Sequence, residues 1–287
     1  PRAYKEINNF YTPTVYEKGA EVIRMLKVLT GDDAFARGMD LYFERCDGTA
    51  ATIEEFLDCF IETSGQDLTH FARWYEQAGT PTVVASGQYD AAAGSYTLEL
   101  AQSTPPTPGQ EEKAPVVIPV ALGLVGKTGD LPLNSISPAL KAGGVVVLDQ
   151  PSLNLTFTGL SEAPTPSLLR GFSAPVRLEL DLGDAELLRL FTADSDSFNR
   201  WQAFQTVATR ALVRAGKSGN LSELADKARE LAAALADFLA GPAMADPAFA
   251  AQVLRLPSAA DIAREIGKDV DPDAVFAANR ALSRAIG

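Results

Sequence analysis

The side chains best placed to form a chemical site lie together near the start of the sequence. Tyr11 and Tyr16 stand five residues apart, and Asn8 precedes the first of them. A phenol in such a position can pack its ring and direct its hydroxyl toward whatever the start of a helix faces. The stretch is therefore a candidate site, and the alternative is that both tyrosines are ordinary half-buried aromatic residues.

A helix that begins at Thr14 is predicted to position Tyr16. Thr14-x-x-Glu17 has the spacing of a capping box, in which the hydroxyl and the carboxylate satisfy free amides of the first turn. Tyr16 falls in that turn, roughly 100° around the helix from Val15 and at the edge of the apolar stripe. The stripe follows from apolar residues at helical spacing, which are Val15, Val22, Ile23, Leu26 and Leu29.

The remaining reactive residue types do not make a complete catalytic set. The sequence has 1 histidine, His70, so three or four zinc ligands of ordinary type are not recognisable. We expect His70 to be a polar residue at a helix start, and Cys46 and Cys59 to be small buried hydrophobic residues. The acidic pairs are expected to be solvated helix starts and a loop; they are Asp32-Asp33, Glu54-Glu55 and Glu111-Glu112.

Composition narrows the possible partners. The 287 residues include 25 Lys+Arg and 37 Asp+Glu, and a net charge of -12 argues against binding to nucleic acid. No apolar run reaches the roughly 18 residues of a membrane span, and no signal peptide is recognisable. Two cysteines without motif spacing favour the reducing cytoplasm. Because Pro1-Arg2-Ala3-Tyr4 is neither an initiator nor a signal, we expect a piece of a longer chain.

The first third of the chain is predicted to be helical. Thr52-x-x-Glu55 is a second capping box, and the second helix is expected to carry Phe35, Met39, Tyr42 and Phe43 inward. Gly79-Thr80-Pro81 is a strong stop, because glycine allows a left-handed cap and proline cannot continue a helix. The four helices are expected from Thr14 to Leu29, from Asp32 or Asp33 to a break at Gly48, from Thr52 to Gly65, and from Asp67 to Gln77.

The pattern changes at Pro81 and again near Asp184. Residues 81–182 are predicted to form a small antiparallel β-sandwich, because short apolar segments alternate with Pro and Gly. Its strands are expected at 82–85, 96–100, 116–124, 144–148, 153–158, 168–172 and 176–182. Residues 183–287 are predicted to form a helical bundle or solenoid. Its helices are expected at 184–191, 197–215, 222–240, 247–254, 258–266 and 272–286.

Several motifs, in order along nearly the whole chain, carry a resemblance to a known family. They include Asn8-Asn9-Phe10-Tyr11-Thr12, Tyr16-Glu17-Lys18-Gly19-Ala20, His70-Phe71-x-x-Trp74-Tyr75, Gly79-Thr80-Pro81 and Phe172-Ser173-Ala174-Pro175-Val176. The chain resembles the bacterial aminopeptidase N family of zinc metallopeptidases (gluzincins). The resemblance implies a multidomain α+β protein: residues 1–80 end a thermolysin-like catalytic domain, 81–182 form the sandwich, and 183–287 start the α-helical domain.

The resemblance also implies an activity and site roles. It implies alanyl aminopeptidase-type hydrolysis of N-terminal residues from peptides, with zinc held by a His-Glu-x-x-His motif that this sequence lacks. Tyr16 matches the catalytic tyrosine, whose neutral phenol donates a hydrogen bond to the oxyanion of the tetrahedral intermediate. Tyr11 and Asn8 match residues near the substrate pocket. We therefore expect the chain alone to bind no zinc, to be inactive, and to need the missing catalytic half of its own chain as partner.

The sequence also allows two functions without catalysis. The sandwich could present a ligand surface as a binding module, although the alternation from Tyr96 to Leu100 gives no exposed aromatic cluster. Residues 184–287 could instead be a helical scaffold that docks a protein on a concave surface.

Overall fold

The computed structural model describes residues 5–135, 137–141, 143–241 and 246–286. The opening Pro1-Arg2-Ala3-Tyr4, from which we expected a longer chain, lies outside these residues. The chain divides into two compact units: the first comprises Pro1–Leu122, Leu133–Ser161 and Leu168–Asp181, and the second comprises Gly123–Pro132, Glu162–Ser167 and Leu182–Gly287. In the described part of the chain, no helix combines the length and apolar character needed to cross a membrane.

The first unit opens with short turns and helices. A 3₁₀ turn at Ile7–Phe10 and a π-helical turn at Thr14–Lys18 lead into α1. The four α-helices that follow are α1 (Gly19–Thr30), α2 (Asp32–Cys46), α3 (Ile53–Ser64) and α4 (Arg73–Glu76). The buried face of α1 is formed by Val22, Met25, Leu26 and Leu29. Ile23, predicted to belong to that face, is 38% exposed.

The two predicted capping boxes have opposite outcomes. At α3, Thr52 Oγ1 accepts from the Glu55 amide at 3.2 Å and the Glu55 carboxylate accepts from the Thr52 amide at 2.7 Å, so that box is confirmed. The predicted box of Thr14 and Glu17 is wrong, since no side chain caps the π-helical turn. The amides of Val15 and Tyr16 both donate to the Thr12 carbonyl, so the turn begins before Thr14. The Thr14 hydroxyl therefore does not occupy the N-cap position.

Two details of the helical prediction are corrected by packing. Phe43 is 59% exposed rather than buried, because its neighbour Tyr42 takes the position against Phe56, with ring centroids 5.0 Å apart. The fourth helix is far shorter than predicted, since helix is present only over Arg73–Glu76. The residues before it form tight turns, and the Asp67 carboxylate accepts from the Thr69 amide at 2.9 Å.

The β-strands form two sheets. The strands are β1 (Thr82–Asp90), β2 (Ser95–Ser103), β3 (Ile118–Val125), β4 (Asp130–Leu131), β5 (Leu140–Lys141), β6 (Val145–Leu148), β7 (Ser152–Phe157), β8 (Thr165–Leu168) and β9 (Arg177–Leu180). One sheet has the order β7-β2-β1-β9; the other has the order β4-β3-β6-β5, with β8 also paired to β3. The sheet cores contain fully buried Leu98, Leu100, Ile118, Val146 and Phe157.

The sandwich departs from the prediction in two places. Strand β9 pairs with β1 in parallel, with Thr82 opposite Arg177, so the arrangement is not purely antiparallel. The strand predicted at 168–172 is wrong, because β8 ends at Leu168 and a 3₁₀ turn follows at Arg170–Phe172. Leu169 and Phe172 there have positive φ angles of 58° and 56°, which a continuing strand cannot accommodate.

The second unit is mainly helical. Its helices are α5 (Asp184–Ala193), α6 (Ser197–Ser218), α7 (Leu221–Ala240), α8 (Pro247–Val253), α9 (Ala259–Ile266) and α10 (Pro272–Ile286), close to the predicted segments. Aromatic rings hold its core together, because the centroid of Phe191 lies 4.9 Å from that of Phe204 and 5.0 Å from that of Phe238. The fold class is therefore the predicted one: helices, a β-sandwich, and a second set of helices.

Candidate active site

The candidate site is built on the π-helical turn that precedes α1. In this turn the Gly19 amide donates to the Thr14 carbonyl, five residues back, and the wider loop contains Tyr16. Single π-helical turns are frequently found at functional sites. The turn continues directly into α1, and the packed face of α1 positions the turn that carries Tyr16.

Two phenols meet at the surface of this turn. The rings of Tyr11 and Tyr16 are stacked, with centroids 6.2 Å apart and planes inclined by 26°. Tyr11 is 57% exposed and Tyr16 is 63% exposed, so the alternative that they are half-buried packing residues is not supported. Phe10 meets Tyr11 edge-on at 5.8 Å. Two large aromatic side chains with exposed hydroxyls can therefore contact a ligand without first unpacking from a core.

Asn8 lies in the adjoining 3₁₀ turn. Its side chain is exposed, and its carbonyl accepts a hydrogen bond from the Tyr11 amide at 3.3 Å. The backbone thus ties the residue to Tyr11. The three residues predicted from the sequence are brought into one exposed segment.

The reactive side chains of the described residues lie apart from one another. Within the ranges that the structure describes, no group of three or more His, Cys, Asp or Glu side chains could hold a metal ion. His70 is occupied elsewhere: its Nε2 lies 2.9 Å from the Pro115 carbonyl and 2.9 Å from Arg73 Nη1.

The other sequence candidates have structural roles. His70 lies in a turn before α4, not at a helix start, because its ring is held by the 115–117 segment. Cys46 is half-buried and Cys59 is buried, both as free thiols, and burial raises the pKa of Cys59. Asp32, Asp33, Glu54 and Glu55 lie in the first turns of α2 and α3 as predicted.

The sequence indicated no role for Lys18, but the structure places it in contact with a distant part of the chain. Its ammonium donates to the Gly79 carbonyl at 3.0 Å, across 61 residues of sequence, and lies 5.7 Å from the centre of the Trp74 ring. Burial, and then the charge of Lys113, lower the pKa of Lys18. No local spacing could have revealed this contact, because its partners come from the far end of the helical segment.

Comparison with known families divides the chain into three. Residues 1–75 match the Peptidase family M1 domain. Residues 79–181 match a domain of unknown function (DUF3458) with an Ig-like fold, and residues 184–287 match its companion DUF3458_C domain of ARM repeats. The three matches follow the same order as the helical, β-sandwich and helical parts of the structure.

Similar proteins cover the whole chain. It is 46% identical to Aminopeptidase N of Caulobacter vibrioides over 100% of this chain and 32% of that protein. It is 39% identical to Aminopeptidase N of Escherichia coli over 98% of this chain and, again, 32% of that protein. The chain thus spans about a third of the length of these relatives.

A solved structure shows the same fold. The crystal structure of Legionella pneumophila aminopeptidase A in complex with aspartic acid matches with a TM-score of 0.75 at 22% identity, over 99% of this chain and 31% of that one. At this identity the likeness concerns the fold alone. The sequence matches along 98–100% of this chain, together with the match of residues 1–75 to the Peptidase family M1 domain, support its being a piece of a bacterial aminopeptidase N.

Proposed function

We propose that this chain works as part of a longer zinc aminopeptidase that hydrolyses N-terminal residues from peptides. The observation that carries the proposal is the exposed Tyr16 phenol on a π-helical turn, in a chain 46% identical throughout to an aminopeptidase N. Peptides are the substrates of the proposed enzyme. Zinc and the general base are supplied by residues outside this chain, in the catalytic half that completes it.

Tyr16 is the proposed oxyanion donor. Its hydroxyl donates a hydrogen bond to the negatively charged oxygen that forms when water attacks the peptide carbonyl. A donor that is already in place costs no reorganisation at the moment of reaction, so it stabilises the transition state more than the bound substrate. The stacked Tyr11 ring restricts the positions that the Tyr16 ring can take.

Tyr11 and Asn8 are the proposed substrate contacts. The Tyr11 ring forms an aromatic wall beside the phenol of Tyr16, and the Asn8 amide offers a donor and an acceptor to a peptide backbone. Neither residue needs to exchange protons with the substrate. Both roles concern binding and orientation.

The division of labour along the chain is part of the proposal. Residues 1–80 complete the catalytic domain, 81–182 form a spacer sandwich and 183–287 begin the helical domain; the family matches to 1–75, 79–181 and 184–287 support these limits. The acidic balance, with a net charge of -12, supports neither nucleic acid nor an acidic membrane surface as a partner. We assign the enzyme to the cytoplasm because two free cysteines without motif spacing favour a reducing compartment.

The test compares this chain with the longer enzyme. We expect metal analysis to find about one zinc per longer enzyme and none bound stoichiometrically to residues 1–287. The longer enzyme should hydrolyse an amino-acid arylamide, and the 287-residue chain should not. Stoichiometric zinc or turnover in the short chain would contradict the proposed division, and a longer enzyme without peptidase activity would support the alternative of a binding or scaffold protein.

A further inference from the structure

The strongest unassigned feature of the site is the half-buried side chain of Lys18. Lys18 lies in the same π-helical turn as Tyr16, two residues later, and its side chain is half-buried where that of Tyr16 is exposed. Its ammonium donates to the Gly79 carbonyl at 3.0 Å and lies 5.7 Å from the centre of the Trp74 ring. One turn therefore carries an exposed phenol and a half-buried cation.

The Gly79 carbonyl belongs to a rigidly bonded segment. The Lys113 ammonium donates to the neighbouring Ala78 carbonyl at 3.0 Å, to Thr107 Oγ1 at 2.6 Å and to Gln110 Oε1 at 2.8 Å. Gln110 in turn accepts from the Ala78 amide at 2.8 Å. The amide and the carbonyl of Ala78, next to Gly79, thus both have partners in the loop between β2 and β3.

Two further pairs extend this network. Gln77 and Ala114 exchange two hydrogen bonds, of 3.0 and 2.9 Å, between side chain and backbone. The Trp74 indole donates to the Val117 carbonyl at 2.7 Å, and this bond is buried. The ring that Lys18 faces is therefore itself fixed, so Lys18 joins the Tyr16 turn to a preformed support rather than to a mobile loop.

The ammonium of Lys18 is held at a cost. Burial and the nearby Lys113 charge both disfavour its protonated form, and they lower its pKa. Lysine side chains usually keep the charged end in water. A half-buried lysine whose ammonium is bound by a carbonyl and an aromatic face restrains its own backbone, because leaving that position would lose both partners.

We propose that Lys18 is the positioning residue of Tyr16: by anchoring the π-helical turn to Gly79 and Trp74, it holds the phenol where the oxyanion forms. This inference rests on the proposed role of Tyr16. It adds that the orientation of the donor depends on a side chain that never touches the substrate. Small errors in the position of a catalytic group are costly, up to about 100-fold in rate.

The test is a double-mutant cycle in the longer enzyme. Lys18→Met should lower kcat by about 10- to 100-fold with KM changed less than about threefold, because only the transition state uses the positioned phenol. In a Tyr16→Phe background the same change should lower kcat by less than about threefold, since no phenol remains to be misplaced. Lys18→Arg should restore most of kcat, because a guanidinium can donate to the carbonyl and stack on the indole.

Controls separate this inference from the proposed function and from misfolding. Lys27→Met removes an exposed lysine of α1 that pairs with Asp32 on the surface, and it should leave kcat unchanged. In the 287-residue chain, Lys18→Met should speed hydrogen exchange of the amides of residues 15–19 while those of α2 and α3 keep their rates. This readout remains informative if the variant enzyme is too unstable to assay.

The outcomes are distinct. A Tyr16→Phe enzyme with reduced kcat beside a Lys18→Met enzyme with normal kcat would overturn the positioning role alone. An equal loss from Lys18→Met in both backgrounds would overturn it too, because Lys18 would then act independently of Tyr16. A normal kcat in Tyr16→Phe would instead contradict the proposed role of Tyr16 itself.

Discussion

At the scale of single residues, the two tyrosines of the site are unusually exposed for large aromatic side chains. Tyr16 is 63% exposed and Tyr11 is 57% exposed, although each carries a large apolar ring. Most rings of that size in this chain pack against a core, as Phe60 and Phe71 do at 0% and 1% exposure. Two stacked phenols outside the core contribute little to stability, so a role in ligand contact accounts for them better than packing does.

The Tyr11 wall can be tested by removing its ring. In the longer enzyme, Tyr11→Leu should raise KM for an amino-acid arylamide by about 2- to 10-fold, the range expected for an aromatic contact of about 0.5–1.5 kcal/mol. Phe43→Leu is the matched control, because Phe43 is 59% exposed on α2 and has no proposed contact with substrate. An equal KM effect in both variants, or none in Tyr11→Leu, would remove Tyr11 from the pocket.

The sequence was sufficient to point to Asn8, Tyr11 and Tyr16 but not to show how they are held. Their residue types and motif lie within a few positions of one another, so local information is enough to propose them. The support of Tyr16 comes through Lys18 from Gly79, 61 residues away, and through the loop that reaches Lys113. Contacts between distant segments leave no periodic signal in a single sequence, so this part had to come from the structure.

At the scale of elements, the α2–α3 pair depends on a close approach at Gly38. A Cβ placed on Gly38 would lie 2.5 Å from Phe60 Cδ1, a distance at which one of the two groups must move. The Phe60 ring has little freedom, because Phe35 and Phe56 pack on it with centroids 5.2 and 4.7 Å away. Glycine is thus required here by packing rather than by backbone conformation.

We expect Gly38→Ala to destabilise the chain by about 1–2 kcal/mol. Overpacking of about 1–3 kcal/mol outweighs the gain of up to about 1 kcal/mol in helix propensity. The matched control is Gly19→Ala, where the nearest atom to the added Cβ is the Thr14 carbonyl oxygen at 3.8 Å. That variant should be neutral or slightly stabilising. Urea unfolding of both would check the order, and a more stable Gly38→Ala would contradict the packing argument.

Elements were predictable where local chemistry decides them. The cap of α3 involves Thr52 and Glu55 alone, and it was predicted correctly. The fourth helix was overpredicted: the residues before Arg73 form turns, in which the Asp67 carboxylate accepts from the Thr69 amide and the His70 ring contacts the distant Pro115 carbonyl. Tertiary bonds of this kind override local propensity.

At the scale of the whole molecule, the carboxylate of Asp184 forms ion pairs that link α5, α6 and α7 of the helical unit. Asp184 begins α5; Arg210 and Arg214 of α6 approach it at 3.4 and 3.8 Å, and Lys227 of α7 at 2.9 Å. Burial would raise the pKa of Asp184, but the hydrogen bonds and charges of Lys227 and Arg210 outweigh it, so the pKa lies below its ordinary value. The ionised form is therefore favoured by folding.

This network gives a pH-dependent prediction. A carboxyl whose pKa is lowered by folding stabilises the protein above its unfolded pKa of about 4, and the effect is lost as pH falls through the folded value. Asp184→Asn should therefore cost about 1 kcal/mol at pH 7, after allowance for solvent screening, and the difference from wild type should shrink below about pH 4.

Thermal or urea unfolding of Asp184→Asn across pH 3–7 measures this directly. Asp226→Asn is the matched control, because Asp226 and its partner Arg229 have side chains 76% and 78% exposed. A surface pair of that kind should contribute close to nothing. A pH-independent cost at Asp184 would show that its contribution is not electrostatic.

The sequence predicted the three-part architecture well, because the changes in hydrophobic periodicity at Pro81 and Asp184 can be recognised from the local sequence alone. The pairing of strands was less accessible. Strand β9 lies parallel to β1 although 86 residues follow Asp90 before Arg177 begins the strand. Nothing in the alternation of β9 itself, Arg177–Leu180, distinguishes a parallel from an antiparallel neighbour.

The kinetics of Tyr16→Phe in the longer enzyme give a direct test of Tyr16 as the oxyanion donor. The substitution removes one hydroxyl and keeps the ring that stacks on Tyr11, so folding and substrate contact should be preserved. We predict that kcat falls by about 100- to 1,000-fold, as for loss of one oxyanion donor, while KM changes far less. A kcat equal to that of the wild-type enzyme would contradict the assignment of Tyr16 as the transition-state donor.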